Sequence, residues 1–272
     1  MPVLSNIFIY PVKSLAGIQV SSWQVNEKGL LHDRKWMLID SNKQFLSQRR
    51  LPKMALIKTQ LTETELILST ATSGNISLPL YPSEGTNIVS TIWKDQCLSK
   101  TVSKEADQWL SDFLAIKCQL VYQPDEVIRA VDPGYANTSD KVNFSDGFPF
   151  LITSEASLNS LNQAMNLQLP MQRFRPNLVI SQCESYAEDS WRKITINDIS
   201  FRLPKPCSRC SVPTIDTETA QTSKEPLTTL NRTRKWNKKV FFGQNALHDN
   251  SGTLSINDAV HINNTGPNQP PL

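Results

Sequence analysis

Two cysteines three residues apart, Cys207 and Cys210 in "PCSRCSVPTID", are the side chains of this sequence best suited to chemistry. A pair at this spacing can form a disulfide, supply half of a zinc site, act as a redox dithiol, or place one thiolate on a metal with a neighbour beside it. These alternatives imply different proteins, so the rest of the chain has to distinguish among them.

Two of the alternatives, the zinc site and the dithiol, find little support elsewhere in the chain, and a disulfide is disfavoured in a cytoplasmic protein. The remaining cysteines and histidines are all isolated, whereas structural zinc sites use paired spacing: Cys97, Cys118, Cys183, His32, His248 and His261. A thioredoxin-like dithiol begins a helix, but here Pro213 and β-branched residues follow. The sequence contains no GxSxG, GxGxxG or GxxxxGK motif, so it signals neither a serine hydrolase nor a nucleotide-binding loop. A single thiolate ligand remains.

A soft thiolate suits a metal that already carries sulfur ligands, such as molybdenum in a dithiolene. Arg209, next to Cys210, favours the ionised thiol. Such a cofactor is large and anionic, so it needs cations gathered from distant parts of the chain. Several are available, although a lone Lys or Arg is usually a solvated surface charge: Lys13 with Ser14, Arg34 in "DRKW", and Arg173 and Arg175 in "RFRPN".

The composition is that of a globular protein with one large domain or two modest ones. The chain has 272 residues, of which 39% are hydrophobic and 19% charged, and its net charge is +3 without a basic stripe. This disfavours a nucleic-acid partner. The start, "MPVLSNIFIYPVKS", lacks a signal-peptide pattern, and no apolar run reaches the ~18 residues of a membrane span. We therefore expect a cytoplasmic protein without a membrane partner, in which a structural disulfide is disfavoured.

The elements that must position these residues are mainly strands. Short strand-like segments with polar breaks fill residues 1–100, and similar segments return after residue 176. Ser103 is suited to cap a helix whose apolar face repeats at helical spacing from Ala106 to Leu114, and a second helix is expected from Ser154. Residues 123–147 are polar and form a linker or a functional loop. The pattern predicts a mostly β chain with some α, an α+β fold built as a β-barrel or sandwich with covering helices.

Eight ordered segments between residues 4 and 262 carry a resemblance to a known family: "YPVKS", "DRKWMLID", "FSDGFPFLITSEASLNSLN", "FRPNLVIS", "YAEDSW", "CSRC", "KEPLTTL" and "FGQN". The chain resembles the MOSC family of molybdenum-cofactor proteins, and within it the amidoxime-reducing components and the bacterial enzymes that reduce N-hydroxylated bases. The resemblance implies an N-terminal MOSC-associated β-barrel domain at 1–122 and a MOSC β-barrel domain with covering helices at 123–264. The composition of residues 265–272 predicts a flexible tail.

The resemblance also implies a set of cofactor residues. Cys210 is the metal ligand and the catalytic residue, and Cys207 is a neighbour without a direct role. The residues implied to surround a molybdenum–pterin cofactor are Lys13, Ser14, Arg34, Asp146, Phe148, Arg175, Asn177, Ser208, Arg209 and Asn245. Asn177 is expected to brace Arg175, and Asp146 is the candidate proton donor. Cys183 is expected to be buried and inert.

The implied activity is the reduction of amidoximes, hydroxylamines and hydroxylaminopurines by removal of their oxygen. The sequence ends at Leu272 without a ferredoxin-like domain, so we expect a separate electron donor, either a flavin reductase or a haem or iron–sulfur protein. Pyridoxal phosphate binding is also associated with the family. The alternative is a sulfur carrier or cofactor-handling protein with a persulfide on a cysteine. Pro213 and Thr217 depart from the family pattern after Cys210, which leaves the substrate preference open.

Overall fold

A computed structural model of the chain describes residues 1–82 and 84–272, and most of its regular structure is β. The strands within these residues are β1 Val3–Ile9, β2 Ile18–Val20, β3 Ser22–Asn26, β4 Gly29–Leu30, β5 Trp36–Ile39, β6 Lys58–Leu61, β7 Glu65–Thr70, β8 Gly74–Pro79, β9 Asn87–Ile92, β10 Asp95–Thr101, β11 Gln119–Tyr122, β12 Phe150–Ser154, β13 Leu178–Ser181, β14 Trp191–Ile196, β15 Ile199–Ser208, β16 Lys235–Trp236, β17 Lys239–His248, β18 Gly252–Ser255 and β19 Val260–Thr265. The α-helices are α1 Lys104–Leu114, α2 Glu155–Met165 and α3 Leu227–Thr233. The predicted mostly β, α+β fold class is confirmed.

The largest sheet draws strands from both ends of the chain. Its order is β19-β14-β15-β17-β12-β13-β1-β2, with β16 added beside β17. β12 and β13 run parallel, while β1 is antiparallel to both β13 and β2. In a separate sheet β18, from the end of the chain, pairs with β3. The sequence division at 122/123 therefore does not separate the sheets, because the first strands pair with the second half.

Both faces of the large sheet are buried where β1 and β13 lie. Ile7 and Ile180 join an apolar cluster on one face. Phe8 and Val179 point to the opposite face, where α2 and α3 cover them. Successive strand residues alternate between faces, so a strand buried on both reads as a continuous apolar run. "IFI" in β1 and "LVI" in β13 have this form, which fixes them inside the sheet.

The predicted helices begin at the expected caps. Ser103 Oγ accepts a hydrogen bond from the backbone N–H of Ala106, and Ser154 Oγ accepts one from Ser157. Each cap satisfies one of the N–H groups that a helix start leaves unpaired. Helix α1 buries Leu110 against an N-terminal core that contains the sheets β5-β11-β10-β9 and β6-β7-β8.

The residues after β19, expected from the sequence to be a flexible tail, form hydrogen bonds with the region before β14 and with β17. Gly266 N donates to Ser190 O at 2.8 Å, and Gln269 N donates to Asp189 O at 2.9 Å. Gln244 Nε2 donates to the Gln269 carbonyl at 2.7 Å. These carbonyls beside β14 need partners, and the chain after β19 supplies them. In the part of the chain that the structure describes, none of the helices has the length and apolarity to cross a bilayer.

Candidate cofactor-binding cleft

One cleft collects the residues that the sequence predicts for a cofactor. Its lining includes Lys13, Ser14, Arg34, Asp146, Phe148, Arg175, Asn177, Ser208, Arg209, Cys210 and Asn245. These positions span more than 230 residues of sequence, so only the tertiary fold brings them together. The cleft also contains Phe45, Ser47 and Arg49, which sequence reasoning missed because the segment "FLSQRR" has no pattern that distinguishes it from an ordinary polar turn.

The segment after β1 places Lys13 and Ser14 in the cleft. Here the chain leaves the large sheet and passes to the N-terminal sheet, where Val12 bridges to Trp36 of β5 and Lys13 N donates to Trp36 O at 2.8 Å. Ser14 has φ 68°, a left-handed conformation that is uncommon outside glycine. The crossing directs the Lys13 side chain inward, so it is only 6% exposed.

Lys13 is held by the loop that ends the 123–147 stretch. Its Nζ donates to Phe144 O at 2.8 Å and to Asp146 Oδ1 at 2.5 Å. Asp146 Oδ1 also accepts from Trp93 Nε1 at 3.2 Å. Desolvation raises the pKa of Asp146, but Lys13, by charge and hydrogen bond, outweighs it, so the pKa lies below its ordinary value. An ionised carboxylate at neutral pH does not suit the tentative role of proton donor, and the structure favours a role in holding Lys13.

Arg34 is fixed by a buried carboxylate. Its Nη1 donates to Asp33 Oδ2 and, at 3.0 Å, to Asn177 Oδ1, while its Nη2 donates to Arg175 O at 3.3 Å. Asp33 is 2% exposed and also accepts from Tyr10 N at 2.8 Å. Asn177 thus braces the Arg34 side chain, whereas the sequence predicted that it would brace Arg175. Arg34 and Asn177 come from opposite halves of the chain, and the fold brings their side chains within hydrogen-bond distance.

Tyr10 contacts two guanidinium groups with its ring, a feature that sequence reasoning missed. The Cζ atoms of Arg34 and Arg175 lie 4.4 and 4.2 Å from its ring centroid. Burial is the main influence that raises the Tyr10 pKa to about 12, against the opposing effect of the arginines. A Cβ on Gly17 would fall 2.4 Å from Tyr10 Cε1, so that position accepts only glycine. The ring keeps both arginines in place by cation–π contact.

Arg175 completes the anion-binding side of the cleft. It follows the short 3-10 turn Met171–Phe174 and has φ 55°. Its Nη1 donates to Leu15 O at 2.6 Å. Desolvation lowers its pKa to about 10, so the side chain remains charged at neutral pH. Non-glycine residues in this conformation carry strain and cluster at functional sites.

The cysteine loop lies at the end of β15. Ser208 pairs with Phe241 of β17, and Arg209 N donates to Val240 O at 2.8 Å. These contacts hold the loop so that the Cys210 thiol is exposed, while Cys207 is half-buried. Both cysteines line the cleft.

Arg209 does not act on Cys210 in the way that the sequence suggests. Its Nη1 donates to Cys207 Sγ at 3.1 Å, and its Nη2 donates to Phe174 O at 2.6 Å. The guanidinium therefore contacts the first cysteine of the pair. Its buried Nε has no hydrogen-bond partner among the described residues.

The remaining predicted residues lie at the margins of the cleft. Asn245 of β17 donates from Nδ2 to Pro206 O at 3.4 Å. Phe148 is half-buried and meets the ring of Tyr135 edge-on at 6.1 Å. Both belong to the C-terminal half, and both frame the cysteine loop.

Two residues considered in the sequence do not line this cleft. Arg173 is buried and donates from Nε to Ile215 O at 3.0 Å. Cys183 is half-buried rather than buried, and desolvation raises its pKa to about 11. Neither residue is placed to contact a ligand that Cys210 holds.

The donor set fits a metal whose other ligands come with an anionic organic group. The cleft offers an exposed thiol, an orphaned Arg209 Nε, and the five cations Lys13, Arg34, Arg49, Arg175 and Arg209. Thiolates are soft ligands, and guanidinium groups bind phosphate with two parallel hydrogen bonds. A metal–pterin with a phosphate has both parts.

Comparisons with known proteins agree with this chemistry. Residues 1–117 match the model of the MOSC N-terminal beta barrel domain, and residues 139–261 match that of the MOSC domain. Mitochondrial amidoxime-reducing component 1 of Mus musculus is 33% identical over 277 residues, covering 95% of this chain and 82% of that protein. Its Homo sapiens counterpart is 32% identical, with the same coverage of 95% and 82%. Molybdenum cofactor sulfurase of Danio rerio is 33% identical over 94% of this chain, which spans only 34% of that protein.

Proposed function

This chain belongs to the MOSC-domain proteins with an N-terminal MOSC β-barrel domain, and on that premise we propose that it is a molybdenum–pterin oxidoreductase that removes oxygen from N-hydroxylated substrates. The observation that carries the proposal is the exposed Cys210 thiol in a cleft shared with Lys13, Arg34 and Arg175. The similarity to proteins named amidoxime-reducing components supports the reaction class.

Different residues of the cleft are suited to hold different parts of the cofactor. Cys210 supplies the protein ligand to molybdenum. Arg175 and Arg209, fixed by backbone carbonyls, bind the anionic end. Lys13 and Arg34, which come from the N-terminal half, would hold the pterin. A group held from both halves of the chain is positioned without further rearrangement, which favours reaction.

The bound cofactor supplies the two-electron chemistry, in which R–NH–OH, two electrons and two protons give R–NH₂ and water. The chain orients the substrate and shapes its access. Ser208 and Asn245 border the thiol with polar groups, while Phe148 offers an apolar wall. Asp146 is ionised at neutral pH and is not assigned as proton donor.

The substrates proposed are amidoximes, hydroxylamines and hydroxylaminopurines. The electrons are proposed to come from a separate protein, either a flavin reductase or a haem or iron–sulfur protein. A cytoplasmic location and pyridoxal phosphate binding remain predictions from the sequence.

The test uses protein made in a host that synthesises the cofactor. Wild-type protein should contain molybdenum at one atom per chain and convert benzamidoxime to benzamidine with reduced methyl viologen. Cys210→Ala should lose turnover by at least about 10³-fold, because the metal ligand is gone. The matched control is Cys207→Ala, which removes the neighbouring thiol and should retain turnover within about threefold of wild type. A tenfold loss would correspond to about 1.4 kcal/mol in activation free energy. Full activity in Cys210→Ala, with unchanged circular dichroism, would contradict the assignment.

A second candidate is a sulfur carrier in which Cys210 holds a persulfide. Two observations favour it: the Cys210 thiol is exposed, and the chain is similar to one third of a molybdenum cofactor sulfurase. Cyanide-releasable sulfur measured beside molybdenum distinguishes the two functions. Stoichiometric metal with turnover supports the reductase, and metal-free protein with labile sulfur on Cys210 supports the carrier.

A further inference from the structure

A strongly basic hairpin lies beside the cysteine loop. Residues 226–248 contain five Lys and Arg and no Asp or Glu. β16 and β17 turn at Asn237 and Lys238, which have φ 47° and 64°, as a tight two-residue hairpin requires. Lys235, Lys238 and Lys239 are exposed. We call residues 235–241 the basic hairpin.

The lysines of the basic hairpin carry uncompensated charge. None of the three forms an ion pair with any residue that the structure describes. Arg234, just before the hairpin, is different, because it is buried and paired with Asp189. Like charges gathered on one exposed turn repel each other and create a local positive potential that attracts acidic molecules.

The hairpin forms one wall of an open groove with an aromatic floor. Trp236 is 41% exposed and Tyr135 is 39% exposed, and both line the groove together with Phe241. Lys205 Nζ lies 4.2 Å from the Tyr135 ring centroid. No acidic residue occurs among the described residues that line the groove, which also include Arg192 and Lys239. Aromatic anchors with cations beside them are typical of protein interfaces.

The groove meets the cofactor cleft at two points. Ser208 lines both, and it lies two residues before Cys210. Tyr135 in the groove packs edge-on against Phe148 in the cleft, with ring centroids 6.1 Å apart. A protein seated in the groove would therefore lie against the same loop that carries the thiol.

We propose that the basic hairpin and its groove dock an acidic redox protein that delivers electrons to the cleft. The proposal rests on the proposed function, because a reductase that removes oxygen consumes two electrons in each turnover. The positive charge of the hairpin selects a partner with an acidic surface. The contact with the cysteine loop places that partner where electrons are needed. The exposed Trp236 is the apolar anchor of the interface.

The experiment compares two charge-reversal variants of the cofactor-loaded protein. The hairpin variant is Lys235→Glu/Lys239→Glu, and the matched control is Lys104→Glu/Lys117→Glu, which changes exposed lysines at the two ends of α1. The probe is flavodoxin, an acidic flavoprotein. Binding is measured by calorimetry with oxidised flavodoxin, and electron delivery is measured by benzamidoxime turnover with reduced flavodoxin.

We expect the hairpin variant to lose about tenfold or more in affinity and in kcat/KM for flavodoxin, since removing charge complementarity slows association and weakens binding. The screening length is ~10 Å near 0.1 M salt and shortens as salt is added, so the affinity of wild-type protein for flavodoxin should fall between about 0.05 and 0.3 M salt. This fall should be smaller for the hairpin variant. Turnover of the hairpin variant with cationic methyl viologen or anionic dithionite should stay within about twofold of wild type. A tenfold change would correspond to about 1.4 kcal/mol in activation free energy. Trp236→Ala should weaken flavodoxin binding without changing its salt dependence.

Equal behaviour of the hairpin and control variants would overturn the proposal, as would failure of flavodoxin to bind wild-type protein at low salt. Hairpin-dependent binding of single-stranded DNA or of phosphatidylserine vesicles, with none of flavodoxin, would overturn it in favour of another partner class. If wild-type protein shows no turnover with the small donors, the proposed function fails, while the calorimetric comparison still decides the docking surface.

Discussion

Two pairs of cations in the cleft are held in different ways. On the N-terminal side, Lys13 and Arg34 each carry a carboxylate partner, Asp146 and Asp33. On the C-terminal side, Arg175 donates to the Leu15 carbonyl. Arg209, also on that side, donates to the Phe174 carbonyl and the Cys207 sulfur. Within the described residues neither of these two arginines forms an ion pair.

The two arrangements differ in what they provide: one fixes the position of a cation, and the other leaves its charge available to a ligand. Cations with built-in counterions are held in place whether or not a ligand is present, but they add little net attraction for an anion. Cations held by neutral carbonyls keep their full charge for the ligand. We therefore expect the N-terminal pairs to matter most for stability and the C-terminal arginines to matter most for retention of the cofactor.

The largest effect is expected from Arg34→Gln, which would leave Asp33 as a buried and unpaired carboxylate. Removing one partner of a buried ion pair costs about 3–5 kcal/mol of unfolding free energy, measured by urea denaturation. Asp33→Asn/Arg34→Gln should recover part of that loss. A single variant as stable as wild type would show that the pair does not hold this side of the cleft.

The same variant has a predicted pH dependence. Burial already raises the pKa of Asp33, against Arg34, and loss of Arg34 should raise it further. A carboxyl whose folded pKa is above its unfolded value binds more protons when folded, so stability falls as pH rises through that window. The stability deficit of Arg34→Gln should therefore shrink on acidification, which denaturation at a series of pH values measures.

The next effect tests the C-terminal side. Arg175→Gln should reduce cofactor affinity by about 10–100-fold, the equivalent of the 1.5–3 kcal/mol of a hydrogen bond to a charged group. Molybdenum and pterin content after gel filtration measure it. Arg50→Gln, at a side chain that is 63% exposed, is the control and should leave the content unchanged. Equal loss in both variants would remove the distinction between the two sides.

A smaller effect is expected at Tyr10, which touches both sides. Its hydroxyl has no partner among the described residues, so Tyr10→Phe should keep the cofactor and raise the unfolding free energy by up to about 1 kcal/mol. Tyr10→Leu keeps an apolar side chain but loses two cation–π contacts of about 0.5–2 kcal/mol each. It should lower both stability and cofactor content. Identical phenotypes for the two substitutions would show that the ring is not what holds the arginines.

The smallest effect is expected from Asp146→Asn. The Asp146 side chain is 67% exposed, so solvent screens its pair with Lys13 and the loss of unfolding free energy should stay below about 1 kcal/mol. Its lowered pKa contributes stability above the unfolded pKa, and that contribution is lost as pH falls through the folded pKa. Turnover should persist, whereas a loss of about 10² or more would restore Asp146 as the proton donor.

Local features of the fold could be predicted from the sequence. Ser103 and Ser154 cap helices because a hydroxyl before an apolar repeat is a signal confined to a few residues. The family resemblance brought together the cofactor residues, all of which line one cleft. Geometry also changed two assignments, since Arg209 contacts Cys207 and Asn177 contacts Arg34.

Long-range pairing could not be predicted. Nothing near Tyr10 indicates that arginines 24 and 165 residues away contact its ring. Phe45 and Arg49 enter the cleft only because β5 pairs with β11 and directs the following turn toward it. Such contacts depend on strand order, which local periodicity does not encode.

The position of β1 has a consequence for synthesis of the protein. Val3 pairs with Ser181 of β13, so β1 leaves the ribosome with β2 beside it but well before its other neighbour, β13, exists. At about 5–20 residues per second, that interval lasts roughly 10–40 s. An apolar strand whose edge stays unpaired for so long is prone to aggregation. The nascent chain should therefore bind chaperones until β13 emerges.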